Sequence, residues 1–452
     1  MVQQNRGASL ILHVCAIAIP FTLMIYWPIY PSAPDVVGPL LRPMMLFCAL
    51  IMSLCVFHLP TTKAEFGAIK VFGLMLGVVL LTSMVSEHPL KSLEDVLKLL
   101  VIQLFALMMT RALRDESTAK TFGIWMYWGS IVITLFIIFT YFRMLGPVLP
   151  TYTAVRGLKG IVEKKGIPLN AAPASAMLLY LCAVCLRPMT KSVWAAGIFV
   201  ALAGSVLTGS RAALSIPVLA ALILLIISWL KSKQVWRRTL AIIMVLCILS
   251  SIVYVLAAVS SRTIVSLSEG RWDLWRAGMS KFLERPLLGW GFQTWRDDLV
   301  SRLPGEYRLT RGLAEHIVGG YHNEYVAALS EHGLAGFSAL LVFFAYGIRS
   351  AWKLTYSRTL VWTYGKVALF GMLFIVVRAN VELDGCFGFF QDPVDYASYL
   401  FLAILFSRLS LEEDASRTVA EWKQSSALAR ISLRLRPSYY TGALPVPENL
   451  DA

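Results

Sequence analysis

SRTIVSLSEGRWDLWRAGMSKFLERPLLGWGFQTWRDD (261–298) and, after a loop, GGYHNEYVAALSEHGLAG (319–336) bracket the longest polar interval between two apolar runs of this 452-residue chain. The interval runs from Ser261 to Gly333. Arginines and tryptophans crowd its first half, and a histidine followed by an amide and a carboxylate, His322-Asn323-Glu324, opens its second. Elsewhere the chain is overwhelmingly apolar. Of all residues 57% are hydrophobic and only 15% charged, where a soluble protein of this size carries about 25% charge. The apolar runs come in lengths of about 20 residues, as a helix crossing the hydrocarbon core requires. The sequence therefore reads as an all-α polytopic membrane protein whose spans hold the polar interval at a membrane surface.

About twelve spans can be counted outward from that interval. They start near Leu10, Gly38, Phe66, Val96, Phe122, Ala172, Val193, Leu214 and Thr239 before it, and near Leu334, Trp362 and Pro393 after it. The first run, Leu10 to about Ile29, is long for a signal-peptide core and lacks a small-residue cleavage site, so it stays as the first span. The expected organisation is spans one to nine over 1–259, with a basic outer loop near 143–171. A helical periplasmic loop domain follows over 260–332, then spans ten to twelve over 333–410. The polar tail, 411–452, has a helical charged part and a Pro-rich end that reads as disordered.

Lysine and arginine in the short loops set the orientation. With Arg6 and the N-terminus in the cytoplasm, the inner loops hold Lys63, Arg111, Arg114, Lys120, Arg187, Lys191, Lys231, Lys233, Arg237, Arg238, Arg349, Lys353 and Arg358. The basic tail then also lies inside, so both termini are cytoplasmic. Two outer loops run against this pattern. One holds Arg143, Arg156, Lys159, Lys164 and Lys165; the other holds Arg262, Arg271, Arg276, Lys281, Arg285, Arg296, Arg302, Arg308 and Arg311. Long loops translocate whatever their charge, but cations displayed against the insertion bias also suit an anionic ligand on the outer face. Arg156 and Lys159 are candidates to contact it. The net charge of +14 fits the positive-inside bias together with attraction to anionic membrane lipids. With no soluble basic domain, nucleic acid is not an expected partner.

Several constellations could carry chemistry. Trp272, Trp275, Met279 and Phe282 recur at three- and four-residue steps between Arg271 and Arg285, which makes an amphipathic helix lying in the interface, broken by Pro286. The helix either merely covers the bundle or lets Arg271, at its start, point into a site. Gly289 and Gly291 around Trp290 read as a tight turn and nothing more. His322 stands beside Asn323, Glu324 and Tyr325; an ordinary imidazole titrates near ~6.5 and can accept a proton at neutral pH, although a structural hydrogen-bonding role is the bland alternative. Structural roles are favoured for His316 and His332. HNEYV is not the H-E-x-x-H zinc arrangement. Arg211, in LTGSRAALS between two apolar runs, is expensive at that depth. It either pairs with Asp384 or Glu382 or grips a pyrophosphate with its forked donors. Arg378, Asn380, Glu382 and Asp384 lie late in the eleventh span and its outer loop, ahead of Asp392 and Asp395, and spacing does not single out one carboxylate. Cys182 and Cys185 make a C-x-x-C inside an apolar helix with no partner pair, so packing explains them. No D-x-D, Walker loop, Rossmann fingerprint or G-x-S-x-G elbow occurs, so the energy of any reaction must come from the substrate.

Taken together, Ser210-Arg211-Ala212, Arg271 with Trp275, Pro286 to Gly291, His322-Asn323, Glu331, Gly333 and Gly336 resemble the pattern of the O-antigen ligase/polymerase superfamily of bacterial envelope glycan assembly, and within it most closely the ligases. The resemblance covers about Phe122 to Phe406. It implies an inner-membrane enzyme transferring O-antigen from undecaprenyl diphosphate to a sugar hydroxyl of lipid A–core, in the periplasm, with inversion and without metal or cofactor. It further implies His322 as general base, Arg211 and Arg271 as holders of the diphosphate, and Asp384 as a supporting acid with a looser flanking motif. Trp275, Asn323, Tyr325 and Arg378 join Arg156 and Lys159 as expected substrate contacts. O-antigen polymerases and protein O-oligosaccharyltransferases share these features and stay open as alternatives.

Overall fold

The computed structural model describes residues 6–29, 34–145, 171–186, 211–230, 233–240, 271–291, 323–356, 362–380 and 393–434, with positions 193, 197, 199, 242 and 243. Every regular element among the described residues is helical. The principal helices are α1 (Arg6–Ile29), α2 (Pro34–Cys55), α3 (Lys63–Met84), α4 (Pro89–Ala112), α5 (Glu116–Leu145), α6 (Ala171–Leu186), α7 (Arg211–Leu230), α8 (Arg271–Glu284), α9 (Glu324–Thr355), α10 (Trp362–Arg378) and α11 (Pro393–Arg434). Three stretches, Lys63–Met84, Glu116–Arg143 and Glu324–Thr355, are long and apolar enough to cross a membrane. Shorter apolar helices lie at Leu10–Met24, Pro43–Cys55, Ala172–Leu186 and Ile216–Ile227. The spans expected near Val193 and Thr239 fall largely outside the described residues.

Local chemistry explains where the helices begin. Thr62 caps α3 reciprocally: its hydroxyl accepts from Glu65 N at 3.1 Å while Glu65 Oε2 accepts from Thr62 N at 3.2 Å. Pro89 sits in the first turn of α4, where its missing N–H leaves nothing unpaired. Asp115 Oδ2 accepts from Thr118 N at 2.8 Å and starts α5.

The axis of the bundle is α11, which packs on α3, α4, α6 and α9. Its residues 396–410 are all buried, and a helix surrounded on every side belongs at a centre. Tyr399 meets Phe72 and Phe343 with ring centroids 5.8 Å and 6.3 Å apart. On the periphery Phe47, Leu54, Leu81, Leu135 and Phe139 are exposed, the placement expected of side chains that face hydrocarbon rather than water.

The two ends of the bundle differ in chemistry. At one end Arg114, buried between α4 and α5, donates to Glu65 Oε1 at 2.9 Å, Asp414 Oδ2 at 2.7 Å and Pro60 O at 2.7 Å. Thr62 Oγ1 and Ser410 Oγ share a hydrogen bond of 2.7 Å, and Ala64 N donates to Glu413 Oε2 at 3.0 Å. These contacts fasten α11, which at 42 residues is about 63 Å long, to the start of α3. Removing Arg114 leaves the buried Glu65 carboxylate uncompensated, a loss of about 3–5 kcal/mol. Arg114→Ala is therefore expected to lower the melting temperature of the detergent-purified protein by several degrees, and an unchanged melting curve would contradict this role. The opposite end gathers the α3–α4 connection, residues 285–291, the start of α9 and the end of α10.

Candidate functional site

That opposite end is built from backbone groups upward. Asn323 takes an extended backbone (φ −162, ψ 112) and its Oδ1 accepts from Tyr325 N and Val326 N, each at 3.0 Å, so it caps α9. Its Nδ2 donates to Asn380 O at 3.0 Å, and Glu324 N donates to Ala379 O at 2.7 Å. Tyr325 Oη donates to Val376 O at 3.2 Å while its ring lies beside Phe337 and Phe344. The first turn of α9 is thereby sewn to the last turn of α10. In that last turn Arg378 is only 2% exposed. It lines a narrow cleft with Pro173, Ala174 and Met177 of α6, Ile216 and Pro217 of α7, and Phe374. The helix α7 starts at Arg211, about 8 Å along the axis from Ile216. The start of α7, the start of α9 and the end of α10 therefore border one region.

A second tie holds α9 ten residues further on. Gly333 leaves the helix with φ +63 and ψ −158. In an unbroken helix the carbonyls of Ser330 and Glu331 would accept from the amides of Leu334 and Ala335. Instead Trp290 N donates to Ser330 O at 3.2 Å and Gly291 N to Glu331 O at 2.8 Å, while Leu334 N donates to Pro286 O at 2.8 Å and Ala335 N to Leu287 O at 3.2 Å. Four groups released by the break are all paired by the strap 286–291. Left unpaired, each would cost about 1–3 kcal/mol when buried, so break and strap stabilise each other. The glycines are required on both sides. Gly289 (φ +67) lies where a Cβ would stand 2.4 Å from the carbonyl of Glu331, and at Gly333 one would stand 2.5 Å from that of Leu287. Gly291 (φ +98) faces Ser86, whose Cβ would be 2.3 Å away. The turn expected from the sequence is thus a docking strap, and its partner sits some forty residues away, where no local pattern points to it.

The strap also binds the α3–α4 connection and α8. Arg285 donates to Glu87 Oε1 at 2.8 Å and stacks on the Trp290 ring, 4.0 Å from its centroid. Trp290 Nε1 donates to Lys281 O at 2.9 Å. Beneath it His332, wholly buried, shares a 2.7 Å hydrogen bond with Thr82 Oγ1 through Nδ1. The face that α8 buries combines apolar, small and basic residues. Leu274, Ala277, Gly278 and Lys281 are buried, Trp275 and Phe282 are half-buried, and Met279 is exposed.

Of the residues singled out from the sequence, Asn323, Tyr325 and Arg378 meet at the α9–α10 junction. The hydrogen bonds of Asn323 and Tyr325 cap and join helices, a use beyond the substrate contacts expected of them. Arg211 and Arg271 are the first residues of α7 and α8, and Trp275 follows Arg271 by one turn. His322, Asp384, Arg156 and Lys159 lie outside the described residues; His322 directly precedes the Asn323 cap in the chain.

A comparison with curated proteins returns no match. Residues 196–341 match the family model described as O-antigen ligase, a segment that includes the starts of α7 and α8, the strap, and the capped and broken part of α9. Over that segment the chain is similar to the O-antigen ligase superfamily.

Proposed function

We propose that this protein is an O-antigen ligase of the bacterial inner membrane. It transfers O-polysaccharide from undecaprenyl diphosphate to a sugar hydroxyl of lipid A–core on the periplasmic face. The observation that carries this reading is that one matched segment contains Arg211, Arg271 and His322 together, the residues that charge, depth and chemistry nominate independently. In this reading the chain has about twelve spans, 260–332 lies in the periplasm, and both termini are cytoplasmic.

The reaction follows from these residues. His322 takes the proton of the acceptor hydroxyl as its oxygen attacks the anomeric carbon from the face opposite the diphosphate. The bond from that carbon to the diphosphate breaks, the electron pair stays on phosphate oxygen, and the configuration inverts. Arg211 and Arg271 meet the developing charge in a poorly hydrated cleft, where fixed cations are most effective, and guanidinium does this without losing its proton. Asp384 supports the site. Arg156, Lys159, Trp275 and Arg378 contact the substrates, and Asn323 and Tyr325 hold the chain beside His322.

Purified protein incubated with lipid-linked O-antigen and rough lipopolysaccharide is expected to build a ladder on lipid A–core. Longer lipid-linked chains alone would mean polymerase, and glycan on protein would mean oligosaccharyltransferase; either result overturns the reading. Because no D-x-D motif is present to carry a metal-bound sugar diphosphate, transfer is expected to survive chelation with EDTA.

A further inference from the structure

We propose that the glycine strap, Gly289 and Gly291 against the break at Gly333, is the positioning device for the acceptor base, and that it joins the α8 arm and the base-bearing segment into one unit. The proposal rests on the reading of His322 as base. Residues 324–332 form a helical piece held at both ends. Its start is fixed to α10 through Asn323–Asn380 and Glu324–Ala379, and its end is fixed by the four strap bonds. His322 immediately precedes the Asn323 cap in the chain, so the strap acts on the helical piece that the base adjoins. The strap leaves α8 directly, through Arg285 and Pro286, and Trp290 folds back onto Lys281 O. A shift of α8, which begins at Arg271, therefore carries the strap and the base-bearing piece with it. The third side of the strap rests on Ser86 and Glu87, so the unit is seated on the α3–α4 connection rather than free at the surface. Gly289, Gly291 and Gly333 are positioning residues in this scheme, since they act through backbone placement and do not touch substrate.

The test uses the full-length protein in detergent or nanodiscs and reads turnover, acceptor KM, donor affinity and thermal melting together. Gly289→Ala drives a methyl into the Glu331 carbonyl and is expected to lower kcat by about 10²-fold, the effect of an ~1 Å misplacement, with donor affinity unchanged. Gly73→Ala, where an added Cβ meets nothing within 4 Å, is the control and should leave kcat unchanged. Gly291→Ala, at φ +98 and against Ser86, is expected to lower kcat in the same way, again with donor affinity unchanged. Wild-type kcat in either folded variant, or a loss of donor affinity that matches the loss of kcat, overturns the proposal. Gly291→Ala decides the matter should Gly289→Ala not fold. Retained turnover in His322→Ala would instead overturn the reading of the base, so the two failures are distinguishable.

Discussion

His322→Ala is expected to reduce transfer by roughly 10²- to 10⁴-fold, the usual contribution of a positioned general base, while the lipid-linked donor still binds. An alcohol is a poor nucleophile until its proton is removed. The diphosphate is a competent leaving group once its charge is met, so the deficit falls on the acceptor half of the reaction. The variant should therefore hold donor without consuming it. Asn323, not His322, makes the cap and the bond to Asn380, so melting should stay near wild type. Near-normal turnover in the variant would remove His322 from the mechanism.

The second large effect concerns the cations. Arg271→Ala and Arg211→Ala are each expected to lower kcat/KM for the donor by about 10²- to 10³-fold, as loss of a fixed transition-state stabiliser does. Lysine should restore only part of this, because its point charge lacks the fork that matches two phosphate oxygens. Both arginines open helices, α8 and α7, so alanine at these positions perturbs no helix interior. A full-strength donor complex in either variant would contradict the assignment.

The helical character of the chain and many of its helix positions were legible because twenty-residue apolar runs have few alternatives in a membrane protein. Arg211 and Arg271 stood out because a guanidinium in an apolar setting or on the outer side is expensive. The strap was not legible. Gly289 and Gly333 are separated by a long polar loop, and their pairing arises from backbone groups that any residue carries; only the need for positive φ on both sides hints at it. In the sequence Asn323 reads as the neighbour of a histidine, whereas its role as cap follows from the helix that starts beside it.

Transfer is expected at the end of the bundle that carries the strap, with that end facing the periplasm. The most direct measurement is transfer in sealed membranes loaded with lipid-linked O-antigen, with lipid A–core acceptor added from one side. Spheroplasts, which expose the outer face, should form the ladder at once, and inverted vesicles should do so only after permeabilisation. Equal transfer by intact inverted vesicles would place the site on the cytoplasmic side and contradict the account.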